Sequence, residues 1–150
     1  MVKLNFPNYN VLTKNKENKS YIFDRVRKKW LICSKEEWVR VHCVNFLIET
    51  KGYPASWILI EKEIKVYETK KRFDIVVSNL KGENHILIEC KAPSILITQE
   101  TFDQIARYNL SLKSKFLMVT NGLDHYFCQM DYKNKRYSFL KDLPNNMSVS

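Results

Sequence analysis

Apolar positions along the chain change period several times, and each change marks an element. Residues 56–67 (SWILIEKEIKVY), 72–80 (RFDIVVSNL) and 85–92 (HILIECKA) are short runs rich in Ile, Val and Leu, the composition of strands. Asn79, Lys81-Gly82 and Asn84 form a turn cluster between the last two, which makes them a hairpin. KFLMVTNG (115–122) reads as a short, fully apolar strand, and HYFCQMD and RYSFLKDL read as two closing strands. Helical spacing occurs twice. Trp38, Val41, Val44 and Ile48 follow Ser34, an N-cap residue with Glu37 three positions on as a capping box and Cys33 facing Trp38 as a weak staple; Gly52 closes the helix. Phe102, Ile105 and Leu112 are the buried stripe of a second helix from about Thr98 to Leu112. Ahead of the first helix, KSYIFDRVRKKWLIC holds a pair of strands around Asp24-Arg25 and Arg27-Lys28-Lys29. This order predicts an α/β (α+β) domain: a mixed central sheet with an antiparallel hairpin at its core, flanked by helices, and an N-terminal β extension.

Composition narrows the function classes. The 150 residues suit a single domain, with a basic β extension over 1–33, a core over 34–130 and a C-terminal strand and tail over 131–150. With only 3 glycines there is no G-x-x-x-x-G-K-[ST] and no G-x-G-x-x-G, which argues against a nucleotide-driven motor or a dinucleotide enzyme. No apolar stretch approaches a membrane span and MVKLNFPNYN lacks a signal-peptide core, so the expectation is no membrane partner. Cys33, Cys43, Cys90 and Cys128 are scattered, as reduced thiols of a cytoplasmic protein are. His125 and Cys128 lack the second ligand pair that zinc requires, and His42, His85 and His125 are isolated and carry no assigned chemistry.

The net charge is +9, and its placement matters more than its size. Residues 1–35 hold nine Lys or Arg against two acids, while residues 36–130 hold twelve of each sign. Tyr9, Tyr21, Phe23 and Trp30 are interleaved with the basic positions, a pattern that suits phosphate-backbone binding and equally a lysine-rich solvated surface.

The segment LIECKAP (87–93) is the one that packing does not explain. Alternation along a strand sets Glu89 and Lys91 side by side on one face, with Ile88 and Cys90 on the other. A turn centred between Lys81 and Gly82 sets Asp74 opposite Glu89. Two neighbouring carboxylates repel unless a cation lies between them, and Mg²⁺ is held by such a small carboxylate set completed by water and phosphate oxygens. An adjacent lysine can orient or deprotonate the attacking water and offset charge on the phosphorane.

Asp74 followed by Glu89-Cys90-Lys91 resembles the D…(D/E)-x-K signature of the PD-(D/E)xK nuclease superfamily. More narrowly, RFDIVV…ILIECKAP…TFDQIARYN…VTNG, with Gln104-x-x-x-Tyr108 on the second helix, resembles the N-terminal nuclease domain of type I restriction enzyme R subunits, in a small stand-alone version. The resemblance implies a restriction-endonuclease-like fold and a metal-dependent DNA endonuclease. It implies Asp74, Glu89 and the Cys90 carbonyl as ligands of Mg²⁺ (or Mn²⁺), Lys91 as catalytic lysine, and Gln104 and Tyr108 as residues bracing the site or touching substrate. An acid on the first helix often completes such a site, and Glu37 is the better match, with Glu36 and Glu49 behind it. Arg72 stands where the superfamily's namesake proline would be. Expected partners are DNA, gripped by Arg27, Lys28, Lys29 and Arg107, a separate motor or specificity subunit, and a second copy of the chain.

Each of these residues also has a plainer role. Glu37 and Gln104 fit capping boxes begun by Ser34 and Thr101, Tyr108 fits a packed aromatic, and Arg107 fits a solvent-facing side chain. Asp74, Glu89 and Lys91 fit an exposed salt-bridge cluster. The alternative function is a nucleic-acid-binding or partner-dependent module that keeps the nuclease fold without cleaving by itself.

Overall fold

The structure, a computed structural model, describes residues 1–66 and 69–146. The last residue of the strand expected over 56–67 and the last four of the C-terminal tail lie outside the described residues. The chain order is β1 (Thr13–Lys16), β2 (Lys19–Asp24), β3 (Lys29–Ile32), α1 (Lys35–Asn45), β4 (Ile58–Val66), β5 (Thr69–Ser78), β6 (Asn84–Cys90), α2 (Gln99–Leu112), β7 (Phe116–Thr120), β8 (His125–Asp131) and β9 (Arg136–Leu140). A π-helical turn, Phe46–Thr50, continues α1, and a 3₁₀ turn, Ala55–Trp57, leads into β4.

Strands β4 to β9 form one six-stranded mixed sheet in sequential order, and β1 to β3 form a separate three-stranded sheet. The central pair, β6 and β7, is parallel and every other pairing is antiparallel. The expected hairpin is β5–β6, beside that parallel pair, which α2 connects. Both β6 and β7 are almost wholly buried, as strands covered on both faces are. One core holds Val39, Cys43, Val44 and Leu47 of the first helical segment against Ile75, Ile86, Ile88 and Met118. The other holds Phe102, Ile105 and Leu112 of α2 against Phe73, Leu87, Leu117 and Val119. The two helices thus clamp opposite faces of β6.

Two expectations are corrected by these contacts. The helix expected from the spacing of Trp38, Val41, Val44 and Ile48 is present; Val39, Cys43, Val44, Phe46 and Leu47 lie in the core beneath it, with Trp38 and Ile48 half-buried against that core. α1 also meets β2, so a second face of it is covered. Ser34 does cap α1 by accepting from the Glu37 amide, but the Glu37 carboxylate turns to arginines instead of closing a box. On α2 the box joins Thr98 to Thr101, which leaves Gln104 without that duty.

The N-terminal segment is pinned beside the C-terminal end of β7. The Asn5 amide donates to the Gly122 carbonyl at 2.7 Å, the Trp38 indole donates to the Val2 carbonyl at 2.7 Å, and Leu4 is buried in the main core. Gly122 has φ +86, and a Cβ there would lie 2.6 Å from Leu4 Cδ2 and 3.1 Å from Val39 Cγ2. Gly122→Ala is therefore expected to lower unfolding stability by about 1–3 kcal/mol in urea melts. A variant as stable as the parent would contradict this seating of the N-terminal segment.

Candidate functional site

Asp74 sits where the regular ladder breaks on both sides. Pairing between β4 and β5 runs from Ile58↔Val77 to Ile60↔Ile75 and resumes at Lys62↔Phe73, passing over Glu61 and Asp74. Glu61 has φ +55, unusual for a residue with a side chain. Pairing of β5 with β6 starts only at Ile75↔Ile88. Side-chain alternation is interrupted at the same point, because Ile75 and Val77 belong to the core under α1 while Phe73 joins Val76 in the core under α2. The Asp74 carboxylate fills the gap: Oδ2 accepts from the Cys90 amide at 2.9 Å, where a main-chain carbonyl would otherwise serve. The register expected for Asp74 and Glu89 continues that of Ile75↔Ile88 and Val76↔Leu87, with a bulge confined to Val77/Ser78.

The second Asp74 oxygen, Oδ1, accepts from Arg40 Nη2 at 2.8 Å. Arg40 projects from α1, is 5% exposed, and also donates to Glu37 Oε1 at 2.6 Å and Glu36 Oε1 at 3.1 Å. Glu37 Oε2 is taken by Arg27 Nη2 at 2.7 Å, and Arg27 Nε donates to Asp24 Oδ2 at 2.5 Å. A continuous run of charge-assisted bonds, Asp24–Arg27–Glu37–Arg40–Asp74, thus joins the β2–β3 turn to the end of β6. Such bonds are short and strong because each partner is ionised.

Glu89 stands outside that run. It is 7% exposed, and its Oε1 is buried without a hydrogen-bond partner among the described residues. Burial, then the negative charge of Asp74, push its carboxyl up to about 8, against weaker opposing pulls from Lys71 and Lys91. Glu36 is also raised, by burial and then by the charge of Asp74. Cys90 turns its thiol toward Cys43 on the α1 side, leaving only its main chain to the site. The Lys91 amide donates to the Thr120 carbonyl at 2.8 Å, which fixes the backbone from which its side chain leaves.

The remaining expected residues fall into two groups. Tyr108 is half-buried on the α2 side, with Lys71 Nζ 4.8 Å from its ring centre. Gln104, one turn before it, and Arg107 are exposed and unbonded among the described residues. Arg27 is not a free phosphate grip, since Asp24 and Glu37 hold it; Lys28 and Lys29 remain exposed at the turn. Glu37 has both oxygens committed to arginines, while Glu36 gives one oxygen to Arg40. His125 has both ring nitrogens engaged, by Thr120 and Asn5, and Cys128 lies in the core under α2.

Sequence reasoning missed Arg40 and Lys71. Arg40 had a detectable signal, since it follows Glu36 and Glu37 at i+4 and i+3, the spacing of helical ion pairs. Nothing local distinguishes Lys71 within Lys70-Lys71-Arg72.

A divalent cation fits this arrangement. The orphaned buried oxygen of Glu89, and the charge of Asp74 that helps keep Glu89 protonated, are what a bound cation would relieve. No group of three or more His, Cys, Asp or Glu placed to hold a metal ion occurs among the described residues; two carboxylates completed by main chain and water are the kind of set that Mg²⁺ accepts.

The family model for the type I restriction enzyme R protein N terminus matches residues 35–144. No curated protein matches the chain. Among solved structures it is similar to a fragment of a "putative HsdR subunit of a type I restriction enzyme" from Vibrio vulnificus YJ016, at TM-score 0.53 and 20% identity over 76% of this chain. The match spans 24% of that longer chain, and at this identity it speaks for the fold. The matched segment begins at the first residue of α1 and includes Asp74, Glu89, Lys91, Gln104 and Tyr108; the chain belongs to the family of type I restriction enzyme R protein N-terminal domains.

Proposed function

We propose that this domain is a Mg²⁺-dependent deoxyribonuclease that hydrolyses phosphodiester bonds, with Asp74, Glu89 and the Cys90 carbonyl holding the ion and Lys91 serving the reaction. The observation that carries this reading is the buried, partnerless Oε1 of Glu89 beside Asp74 at the end of a strand that continues into Lys91. A structural salt-bridge cluster would leave no such oxygen, because an unpaired buried carboxylate is costly. A bound divalent cation supplies positive charge to a phosphate oxygen and lowers the pKa of a coordinated water.

The chain's own residues account for the rest. Asp74 is held rigid by Arg40 and by the Cys90 amide, so its free lone pairs keep one direction. Lys91, on the same face as Glu89, orients the attacking water and stabilises charge on the phosphorane. Gln104 and Arg107 reach outward from α2, where they meet substrate, while Tyr108 and Lys71 brace the floor. Exposed Lys28 and Lys29 grip the DNA backbone away from the cut. Family membership supports a place beside motor and specificity subunits.

Purified protein is expected to nick supercoiled plasmid only with Mg²⁺ or Mn²⁺, and Lys91→Ala is expected to lose at least about a hundredfold in rate while keeping its fold. Cleavage that persists without metal, or unchanged in the variant, would refute the assignment. DNA retardation on a gel by both proteins with no cutting by either would favour the partner-dependent module instead.

The Glu89 carboxyl also gives a pH signature. The metal-free folded state retains a proton that the unfolded chain has released from the ordinary value of 4.5 upward, so stability falls as pH rises from there to about 8. Glu89→Gln removes that titration. The variant is expected to match the parent at pH 5 within about 1 kcal/mol and to exceed it by about 2–4 kcal/mol at pH 9 in urea melts. Parallel pH curves for the two proteins would contradict the buried, unpaired state of Glu89.

A further inference from the structure

Arg40 occupies a place in the site that neither the family match nor the D…E-x-K pattern assigns. Its guanidinium lies between Asp74 on β5 and the two α1 acids, with Nη2 2.8 Å from Asp74 Oδ1 and 3.1 Å from Glu36, and Nη1 2.6 Å from Glu37. It is also 3.8 Å from Glu61 Oε1. One fixed positive charge therefore serves four carboxylates while itself 5% exposed. These acids, Asp74 together with the helix acids, are the ones that would surround a second divalent ion. In two-metal phosphodiester sites the ions lie about 3.5–4 Å apart and share a bridging carboxylate.

We infer that Arg40 stands in for the second cation, so that this chain's site takes one divalent ion and not two. The inference rests on the metal-dependent reading above and specifies its stoichiometry. Two further observations carry it. Arg40 Nη2, 2.8 Å from Asp74 Oδ1, stands where a second ion held by that oxygen would stand, while Oδ2 accepts one amide hydrogen and keeps a lone pair for a single ion. Glu37 cannot supply a ligand, because each of its oxygens is held by a different arginine. Among the carboxylates of the site the buried oxygen without a partner is Glu89 Oε1, and it marks where the one ion goes. The guanidinium cannot lose its charge at any working pH, so the second position stays closed to metal. Arg40 is thus a positioning residue: it aims Asp74 and neutralises the helix acids without touching substrate.

Equilibrium dialysis of the full chain against Mn²⁺, with free ion counted by electron paramagnetic resonance, tests this without relying on cleavage. The parent is expected to bind one Mn²⁺ per chain, lost in Glu89→Gln. Arg40→Gln, checked for helix content by circular dichroism, is expected to bind two. Glu37→Gln is expected to keep the single ion within about threefold of the parent affinity, and it decides the matter if Arg40→Gln fails to fold. Two ions in the parent, a single ion in folded Arg40→Gln, or a tenfold or greater loss of affinity in Glu37→Gln would overturn the assignment of Arg40. A parent that binds no Mn²⁺ sensitive to Glu89→Gln would overturn it together with the nuclease reading, and so separates the two failures.

Discussion

The contact between the Asp74 carboxylate and the Cys90 amide is the constraint on which the site depends. An antiparallel pair normally satisfies each amide with a main-chain carbonyl, and a buried amide left without a partner costs about 1–3 kcal/mol. Here the ladder gives way at Asp74, and the side chain makes the bond that the backbone does not. That substitution ties the carboxylate to the backbone of the strand carrying Glu89, two residues before Lys91. The same break turns the strand, so that Phe73 and Ile75 serve opposite cores. One irregularity thereby aims the acid and lets the sheet be covered on both faces.

Fixing two carboxylates together in a nearly dry place has an electrostatic consequence, and the structure answers it unevenly. Asp74 has Arg40, which is backed by Glu36 and Glu37 and, beyond them, by Arg27 and Asp24. Glu89 has no arginine of its own, only the more distant fields of Lys71 and Lys91 and, while it holds its proton, a hydrogen bond to Asp74. The proposed metal site rests on that asymmetry between the two acids. The run also ties the N-terminal sheet to Asp74: the β2–β3 turn supplies Arg27, the basic link farther from Asp74.

Much of this was legible in the sequence because it rests on local signals. The Asn79–Asn84 turn chemistry located the hairpin, although the bulge at Val77/Ser78 and not the turn sets the register that runs toward Asp74 and Glu89, and the stripe of Phe102, Ile105 and Leu112 located α2 closely. What was not legible depends on contacts between distant segments. Glu37 looked open to the site, but Arg27, which pairs with it, approaches from the β2–β3 turn. Arg27 looked like a phosphate grip for the same reason in reverse. The strand Thr13–Lys16 was not foreseen because its four residues, Thr-Lys-Asn-Lys, are all exposed and carry no apolar alternation.

The central claim is that Glu89 and Asp74 face a divalent cation across the end of β6. Crystals of the protein grown with Mn²⁺ and measured at the manganese absorption edge address it directly. The account predicts an anomalous peak within about 2.0–2.3 Å of Glu89 Oε1 and of one Asp74 oxygen, with Arg40 still on the other. A peak elsewhere, or a Glu89 carboxylate bonded to a protein group with no ion beside it, would contradict it.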